Sequence, residues 1–349
     1  MIRVAIIGAG YMGSAHARVL HRISEELPGE IELRYIVDVD VERAKRVSTK
    51  YGGEPLNSID DIPRDSVDLA LIATPTEYHY KVFKQLVEKN TRYFFIEKPM
   101  TRSLEEGVRL LRHVEENDLW VSVGHIERFN PAVVSLHRHV EKGELGEVLT
   151  IISRRVGPYT ARVKHTDVIY DLGVHEIDNS LAIYKRIPER IRSYTLGNLV
   201  TRLSDYALII LQYDKGFSSL EVNRVTPFKQ RIMYLTGTRG VAYLDYMKQE
   251  LTIYNGEHEI RALIRREEPL YLEDLAVVKN IINRGNPPID PYQAFTSLYL
   301  CELSLESTRT MKEIVIEDRK DYIEYKDILK KGLDGYKRSL EQLRGSSGV

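Results

Sequence analysis

Cysteine is almost absent from this sequence. The 349 residues include one cysteine, Cys301, so an intramolecular disulfide framework and a cysteine-rich metal site are both excluded. An excess of one charge is also lacking, because 50 lysines and arginines are balanced by 51 acidic residues, for a formal net charge of −1. This balance gives no support for a nucleic-acid partner or for a polybasic membrane contact.

Long apolar runs are missing as well. No stretch approaches the length that spans a bilayer, and the chain leads from Met1 into a predicted strand without the layout of a signal peptide. We therefore expect a cytoplasmic protein without a membrane partner. Hydrophobic residues make up 43% and charged residues 29%, as in soluble globular proteins, and the length suggests two domains.

The segment from Met1 to Asp38 organises the rest of the chain. An apolar run over 3–7 predicts a strand, and a glycine-rich turn, a helical stretch and a second strand over 31–37 follow it. The turn reads Gly8-Ala9-Gly10-Tyr11-Met12-Gly13. A G-x-G-x-x-G turn between a strand and a helix, with an acid at the end of the next strand, predicts a dinucleotide site.

Each residue type in this segment has a physical role. Gly8 makes the tight turn, Gly10 lets the backbone approach a pyrophosphate, and Gly13 lets the helix pack close to the strand. Asp38 accepts hydrogen bonds from the adenosine ribose, and the following Val39-Asp40 supplies no arginine for a 2′-phosphate. We therefore expect NAD rather than NADP. The alternative is a glycine-rich turn that binds no ligand.

Strands and helices continue to alternate after Asp38. The apolar runs over 67–73, 92–96 and 120–124 predict further strands of a doubly wound parallel sheet, in which ligands lie beyond the carboxyl ends of the strands. The predicted cofactor contacts at this edge are Thr74, Pro75, His79, Glu97, Lys98 and His125. We expect a first domain over 1–124, to which helices over 272–284 and at about 290–311 return.

The pattern changes near residue 145. Strands over 148–156 and across 191–264 follow one another without intervening helices, so an open, mostly antiparallel sheet is expected. One helical stretch, 168–184, interrupts this region. We expect a second domain over 125–316 and a helical C-terminal extension over 317–349.

Lys98 is the first catalytic candidate. Pro99 disfavours a helical conformation at Lys98, so the lysine is expected to be extended at the end of its strand. An ammonium group there would stabilise an alkoxide or relay a proton. The alternative is a solvated lysine before a turn.

The second candidate is the stretch Asp171-Leu172-Gly173-Val174-His175-Glu176-Ile177-Asp178. On an α-helix, Asp171, His175 and Asp178 share one face, which suits an imidazole base with carboxylates that orient it. The alternative is a capped helix start without a chemical role. A metal site is not predicted, because no third ligand is identifiable.

The third candidate follows the strand over 120–124. Arg128 and Asn130 are positioned to hold substrate hydroxyls or a phosphate, and His125 to face the nicotinamide. Among other basic residues, Arg155, Arg162 and Lys164 are candidates for binding a diphosphate. The alternative is a polar inter-domain loop in which Arg128 forms a structural ion pair.

Together these stretches resemble the glucose–fructose oxidoreductase / myo-inositol dehydrogenase family. The matching pieces are the glycine turn, Asp38-Val39-Asp40, Ala73-Thr74-Pro75, Glu97-Lys98-Pro99, the stretch from Gly124 to Pro131 and the stretch from Asp171 to Asp178. The resemblance implies a Rossmann domain with an open antiparallel sheet domain, assembled as a dimer or tetramer through those sheets. It also implies NAD(P) as cofactor, Lys98 and His175 as the catalytic pair, and Asp171 as their partner.

Within that family, the stretch from Gly124 to Pro131 is most similar to enzymes that oxidise the 3-hydroxyl of UDP-N-acetylglucosamine. The resemblance therefore implies a sugar or nucleotide-sugar substrate, with Arg128, Asn130, Arg155, Asp171, His175 and Asp178 as substrate contacts. Two alternatives stay open: a dehydrogenase of free sugars or inositol, and a non-catalytic NAD-dependent sensor. Which of His175 and Lys98 is the base also stays open.

Overall fold

The computed structural model describes residues 1–160, 166–256 and 258–345, with side chains as far as residue 338. The chain divides into two units. Unit 1 comprises residues 1–126 and 268–294, and unit 2 comprises residues 127–267 and the chain from residue 295 onward. Each unit is built on one β-sheet.

The sheet of unit 1 contains six strands. They are β1 (Ile2–Ile7), β2 (Ile31–Val37), β3 (Glu54–Leu56), β4 (Leu69–Ile72), β5 (Tyr93–Glu97) and β6 (Trp120–Gly124). Their spatial order is β3-β2-β1-β4-β5-β6, and all neighbours pair in parallel. A parallel sheet is covered on both faces, and accordingly all four residues of β4 are buried. The predicted doubly wound Rossmann sheet is thus confirmed.

Nine α-helices are present in the described part of the chain. They are α1 (Tyr11–Glu26), α2 (Val41–Tyr51), α3 (His79–Glu88), α4 (Leu104–Glu116), α5 (Pro131–Glu141), α6 (Val174–Tyr184), α7 (Pro269–Ile282), α8 (Pro291–Thr310) and α9 (Lys320–Gly345). A π-helical turn, Ile169–Gly173, leads directly into α6. Among these described helices, none combines the length and apolar character that a bilayer crossing requires.

Helix α1 packs against the sheet of unit 1 through a stripe of apolar residues. Val19, Leu20 and Ile23 recur at helical spacing and are buried in the same core as Ile6 of β1 and Val278 of α7. Burial of each such aliphatic side chain stabilises the fold by about 1.5–3 kcal/mol. This packing holds the start of α1, and with it the glycine turn, at the carboxyl end of β1.

The sheet of unit 2 contains nine strands. They are β7 (Val148–Pro158), β8 (Arg190–Gly197), β9 (Ser204–Tyr213), β10 (Gly216–Asn223), β11 (Val225–Gly237), β12 (Val241–Asp245), β13 (Glu250–Asn255), β14 (His258–Arg261) and β15 (Ile314–Val315). Their order is β14-β13-β12-β11-β7-β10-β9-β8-β15, and among these described strands only the β7–β10 pair is parallel. The predicted open, mostly antiparallel sheet is confirmed.

The two faces of the unit 2 sheet differ in burial. Alternate residues of β7, such as Ile151, are buried on the face that packs against α6, which we call the inner face. On the other face, the outer face, Ile152 lies directly opposite Tyr234 of β11, and the two residues are 50% and 44% exposed. One face therefore belongs to the core of unit 2, while the other carries apolar side chains in contact with solvent.

The division into units differs from the predicted domains in two places. Of the two helices expected to return, α7 is grouped with unit 1, whereas α8 is grouped with it only up to Ala294. The segment from residue 317, predicted as an extension, is grouped with unit 2, and Tyr336 of α9 is fully buried there. A few apolar residues on a charged helix are sufficient for this burial, and their spacing alone does not reveal it.

Candidate active site

The glycine turn has the geometry that its sequence predicts. Gly8 has a φ of +98°, and a Cβ atom there would lie 2.7 Å from the carbonyl oxygen of Ala73. A Cβ at Gly13 would lie 1.7 Å from the carbonyl oxygen of Gly8, so only glycine fits at these two positions. At Gly10, by contrast, a Cβ would meet no described atom within 4 Å. The backbone at Gly10 is therefore open to the close approach of a ligand.

The N-terminus of α1 lies at this opening. Gly10 is the N-cap residue, no side chain in the described structure caps it, and the first turn of α1 contains no acidic residue. A helix N-terminus carries a partial positive charge and is a favourable position for an anion. The residues present therefore fit the pyrophosphate of a dinucleotide.

Asp38 fixes the second part of this site. It follows β2 and is buried, with Oδ2 accepting a hydrogen bond from the Ala9 N–H at 2.8 Å and Oδ1 accepting from the Asp40 N–H at 2.9 Å. Arg43 of α2, which the sequence analysis did not consider, approaches both Asp38, at 3.4 Å, and Asp40, at 3.5 Å. Val39 is 96% exposed, so a contact of its side chain with the cofactor stays a prediction.

The other predicted cofactor contacts of unit 1 meet near the ends of β4 and β5. The buried ring of His79 lies with Nε2 at 2.9 Å from the carbonyl oxygen of Thr74 and Nδ1 at 3.1 Å from that of Pro99. Burial lowers the pKa of His79. The ring thus lies between the Thr74-Pro75 loop and the residues after Lys98, and in its neutral form it donates to a carbonyl oxygen on one side only. His125, which follows β6, is also buried.

Glu97, the last residue of β5, belongs to a buried charge cluster that the sequence analysis missed. His16 of α1 is fully buried, with Nε2 at 3.0 Å from Glu97 Oε1 and Nδ1 at 2.9 Å from both carboxylate oxygens of Asp274 on α7. By its sequence context alone, His16 is an ordinary surface or core histidine. Its position three residues after Gly13, and thus one helical turn from the glycine motif, was the available signal.

The charge of this cluster is set by its two acids. Burial disfavours a charged imidazole, but the carboxylates of Asp274 and Glu97 outweigh it and raise the pKa of His16 to about 10. Burial also opposes the charged form of Glu97, yet the hydrogen bond and charge of His16 lower its pKa. His16 is therefore a cation at neutral pH and holds Glu97 as a carboxylate.

Lys98 is positioned by this cluster. Its backbone N–H donates a hydrogen bond to Glu97 Oε2 at 3.0 Å, and the Lys98–Pro99 peptide bond is cis. The side chain is partly exposed. A lysine directly beyond β5, on the same sheet edge as the glycine turn, is placed as the sequence analysis expected.

The second catalytic stretch lies in the π-helical turn and α6 of unit 2. Asp171 is in the π-turn, so its relation to His175 is not the simple one-face spacing of an α-helix that was predicted. One Asp171 carboxylate oxygen lies 3.7 Å from the Arg224 guanidinium. His175 is the second residue of α6 and is buried, at 8% exposure. Wider turns of this kind are often found at functional sites.

Asp178 and Arg128 lie together in the interior of unit 2. Their side chains approach to 3.7 Å, and the Tyr336 hydroxyl of α9 donates a hydrogen bond to Asp178 at 2.8 Å. The Arg128 guanidinium also lies over the Tyr336 ring, 5.2 Å from its centroid. Both predicted substrate residues therefore have protein partners, and a direct contact with substrate stays a prediction.

Asn130 and Arg155 also have protein partners. Asn130 caps α5 by accepting from the Ala132 N–H at 3.1 Å. Arg155 donates to Glu176 at 2.6 Å and to Glu127 at 2.8 Å. For these residues too, substrate contact stays a prediction. Two further candidates, Arg162 and Lys164, lie outside the described residues.

The carboxylates and histidines do not form a metal centre in the described part of the chain. There, no group of three or more His, Cys, Asp or Glu side chains is arranged to hold a metal ion. Amine, imidazole and carboxylate groups such as those of Lys98, His175 and Asp171 are suited to proton transfer and charge stabilisation, and their catalytic roles stay predictions.

Two family models match the chain. The model described as the oxidoreductase family with an NAD-binding Rossmann fold matches residues 2–125. The model described as the GFO/IDH/MocA C-terminal domain matches residues 133–243. Together the two models account for more than half of the chain.

Characterised relatives are similar over most of the chain. A UDP-N-acetylglucosamine 3-dehydrogenase from Acidithiobacillus ferrooxidans is 28% identical over 255 residues, which are 73% of this chain and 77% of the relative. A scyllo-inositol 2-dehydrogenase (NAD(+)) from Bacillus subtilis is 26% identical over 321 residues, 82% of this chain and 88% of the relative.

A solved structure agrees with the fold described above. The UDP-N-acetylglucosamine 3-dehydrogenase of Acidithiobacillus ferrooxidans superimposes with a TM-score of 0.79 at 24% identity, covering 88% of this chain and 98% of the other. Family models, relatives and fold agree with the geometry of the glycine turn. The chain therefore belongs to the GFO/IDH/MocA family of oxidoreductases and binds NAD through its Rossmann domain.

Proposed function

We propose that this chain oxidises a secondary hydroxyl of a sugar, with NAD as hydride acceptor, and that the substrate hydroxyl is the 3-hydroxyl of a UDP-N-acetylhexosamine. The observation that carries the proposal is the position of Lys98. It follows β5 at the edge of the sheet that carries the glycine turn, and the buried His16–Glu97 pair holds its backbone. A protein that only senses NAD has no need of a lysine held at this position.

The reaction removes a hydride from carbon and a proton from oxygen, so that the alcohol becomes a ketone and NAD becomes NADH. In the proposal, Lys98 stabilises the developing alkoxide, and Asp171 orients the imidazole of His175. The proton passes to His175 or to Lys98 and then to solvent. Because protons are shared between interacting groups, a pH profile reports the group rather than one residue.

The nucleotide-sugar substrate is supported by two observations. The stretch from Gly124 to Pro131 resembles that of UDP-N-acetylglucosamine 3-dehydrogenases, and one such enzyme is 28% identical to this chain. We propose that Arg128, Asn130, Arg155 and Asp178 shape the substrate site together with Asp171 and His175. The runner-up is a dehydrogenase of free sugars or inositol, which the scyllo-inositol 2-dehydrogenase relative favours.

We also propose that the chain forms a homodimer or homotetramer through the outer face of the unit 2 sheet. Apolar side chains on this face are 41–58% exposed in the described structure, and contiguous exposed apolar surface marks interfaces. They are Ile152, Tyr194, Leu196, Phe217, Tyr234 and Tyr254.

A substrate panel tests the proposed function. NADH absorbance is followed with UDP-N-acetylglucosamine, free hexoses and inositols side by side, and the expected highest kcat/KM is for UDP-N-acetylglucosamine. A higher kcat/KM for an inositol or a free hexose would change the proposed substrate but leave the proposed reaction in place. If NAD binds and no compound yields NADH, the chain is a sensor rather than a dehydrogenase.

A further inference from the structure

Arg231 occupies a position on the inner sheet face that the proposed reaction does not use. The register places Arg231 of β11 directly opposite Arg155 of β7, so their side chains lie on the same face. Like charges in directly opposed positions destabilise a sheet unless further groups compensate them. The two arginines are therefore an arrangement that calls for an explanation.

The acids nearby compensate Arg155 much better than Arg231. Arg155 is buried and donates to Glu176 at 2.6 Å and to Glu127 at 2.8 Å. Glu127 also accepts from Asn130 at 3.3 Å. For the Arg231 side chain, the acidic partner among the described residues is Glu127 at 3.5 Å, without a hydrogen bond. The acid nearest to Arg231, Glu127, is therefore already hydrogen-bonded to Arg155 and Asn130.

The Arg231 side chain also reaches solvent, with 37% of its surface exposed. A guanidinium has five N–H donors in a planar fork, so most of those of Arg231 are available to a ligand. The charge of Asp171, the predicted partner of His175, also acts on it. The charge of Arg155 and burial lower the pKa of Arg231, which means that an added anion is favoured there.

We infer that Arg231 binds an anionic group, a phosphate or a carboxylate, that is carried by the sugar substrate. This inference rests on the proposed function and makes its substrate class more specific. A carboxylate or a phosphate takes two parallel hydrogen bonds from a guanidinium and neutralises one of the two opposed charges. Neutral sugars and inositols lack such a group, so Arg231 is a specificity-determining residue that selects against them.

The test measures binding, so that it does not depend on turnover. NAD-loaded, full-length wild type, Arg231→Gln and Arg231→Lys are titrated calorimetrically with UDP-N-acetylglucosamine, glucuronate and myo-inositol. Arg266→Gln is the matched control, because Arg266 is another unit 2 arginine in an exposed ion pair, with Glu250. UDP-N-acetylglucosamine and glucuronate distinguish a phosphate from a carboxylate as the group that is bound.

We expect Arg231→Gln to weaken binding of the anionic probe about 10- to 100-fold, as loss of hydrogen bonds to a charged group implies. Arg231→Lys is expected to lose less affinity for the anionic probe, since it keeps the charge. Arg266→Gln is expected to bind the probe like wild type. The unfolding temperature of Arg231→Gln should stay within about 2 °C of wild type, because the substitution relieves repulsion by Arg155. Weaker probe binding at an unchanged unfolding temperature would show that Arg231 recognises the ligand rather than stabilises the fold.

Two outcomes overturn the inference. One is an Arg231→Gln variant that binds the anionic probes within about twofold of wild type. The other is a wild type that binds neither anionic probe but binds and oxidises myo-inositol, which leaves the oxidoreductase function in place. Failure of the proposed function itself is different, because then no compound yields NADH even though an anionic probe binds in an Arg231-dependent manner.

Discussion

Asp38 and Arg43 form an acid–base pair that bears directly on cofactor choice. A 2′-phosphate beside the Asp38 carboxylate would be repelled, whereas the Arg43 guanidinium, 3.4 Å from that carboxylate, would attract it. In the native protein the Asp38 carboxylate is buried and accepts a hydrogen bond from Ala9 of the glycine turn. We therefore expect its repulsion of a 2′-phosphate to outweigh the attraction by Arg43. The arginine is then occupied by the acids beside it.

Removing the carboxylate should shift the preference toward NADP. We expect Asp38→Ala to bind NADP at least about tenfold more tightly than wild type, and NAD more weakly, because Arg43 is then free to meet the 2′-phosphate. The measurement is the Kd of both cofactors by fluorescence titration. The double variant Asp38→Ala/Arg43→Ala serves as control and should not bind NADP more tightly than wild type. An equal gain in NADP affinity in that double variant would contradict this account.

The buried His16 cation gives the fold a defined pH dependence. Its pKa is raised from 6.5 to about 10, so the stabilisation by its charge is full below about pH 6.5 and is lost as the pH rises through about 10. We expect His16→Gln to lower the free energy of unfolding by about 3–5 kcal/mol at pH 6.5, because it removes one partner of a buried ion pair. Urea denaturation should show that the difference in unfolding free energy between wild type and His16→Gln becomes smaller as the pH rises from 6.5 to 10.

A matched control for this experiment lies on the same helix. His21 is exposed on α1, with 45% of its side chain accessible, and His21→Gln should change stability by less than about 0.5 kcal/mol. A wild-type-to-His16→Gln gap that stays constant between pH 6.5 and 10 would show that the charge of His16 does not stabilise the protein.

The sequence predicts some of these residues well and others poorly. Gly8 and Gly13 are predictable because each is forced by local geometry, such as the 1.7 Å approach that a Cβ at Gly13 would make. Gly10 and Asp38 are predictable because they stand at the spacing of the dinucleotide-binding motif. His16 and Asp274 are not, because 258 residues separate them and only the packing of α7 on α1 brings them together. Arg43 was missed for a simpler reason, since it lies one helical turn beyond the residues considered.

At the scale of elements, α9 contributes to the helix that carries His175. Tyr336 of α9 donates its hydroxyl to Asp178 of α6, and Ser297 of α8 lies 2.8 Å from the same hydroxyl. All three side chains are buried, so the loss of one donor leaves a buried carboxylate with less hydrogen bonding. Helix α9 is thus part of the support of α6 rather than a separate extension.

Tyr336→Phe tests this support with little change in volume. We expect it to lower the free energy of unfolding by about 1–3 kcal/mol, as a buried acceptor that loses its partner does. The denaturant midpoint is compared with that of Tyr322→Phe, a partly buried tyrosine of the same helix, which should differ little from wild type. Equal midpoints for wild type and Tyr336→Phe would mean that α9 does not stabilise α6 in this way.

The elements themselves were largely predictable from the sequence. The sequence pattern gave five of the six strands of unit 1, and β6 has the predicted bounds, whereas the short β3 was not predicted. The π-turn over 169–173 was not predictable, because it depends on a hydrogen-bonding pattern that leaves the apolar spacing nearly unchanged. The burial of α9 was not predictable either, because its buried residues are few among many charges.

At the scale of the whole molecule, the outer face of the unit 2 sheet is the surface that we propose for self-association. We expect Ile152→Asp to convert the wild-type oligomer to a monomer, because it places a charge beside Tyr234 in the middle of that apolar surface. Light scattering at micromolar concentration measures the mass. Leu263→Asp is the control, since Leu263 is fully exposed outside the sheet.

The two variants should differ in mass. The Leu263→Asp variant should keep the mass of the wild type, while Ile152→Asp should have the mass of one chain. A monomeric wild type, or an Ile152→Asp variant with an unchanged oligomeric mass, would refute the proposed assembly surface.

The measurement that bears most directly on the proposed chemistry is the turnover of Lys98→Met and His175→Ala. With the best substrate of the panel, each variant should lose about 10²- to 10⁴-fold in kcat, because each removes a group that holds or moves the proton. Both should still bind NAD, and the exposed-site controls Lys84→Met and His258→Ala should turn over normally. Near-normal kcat in both Lys98→Met and His175→Ala would contradict the assignment of the catalytic pair.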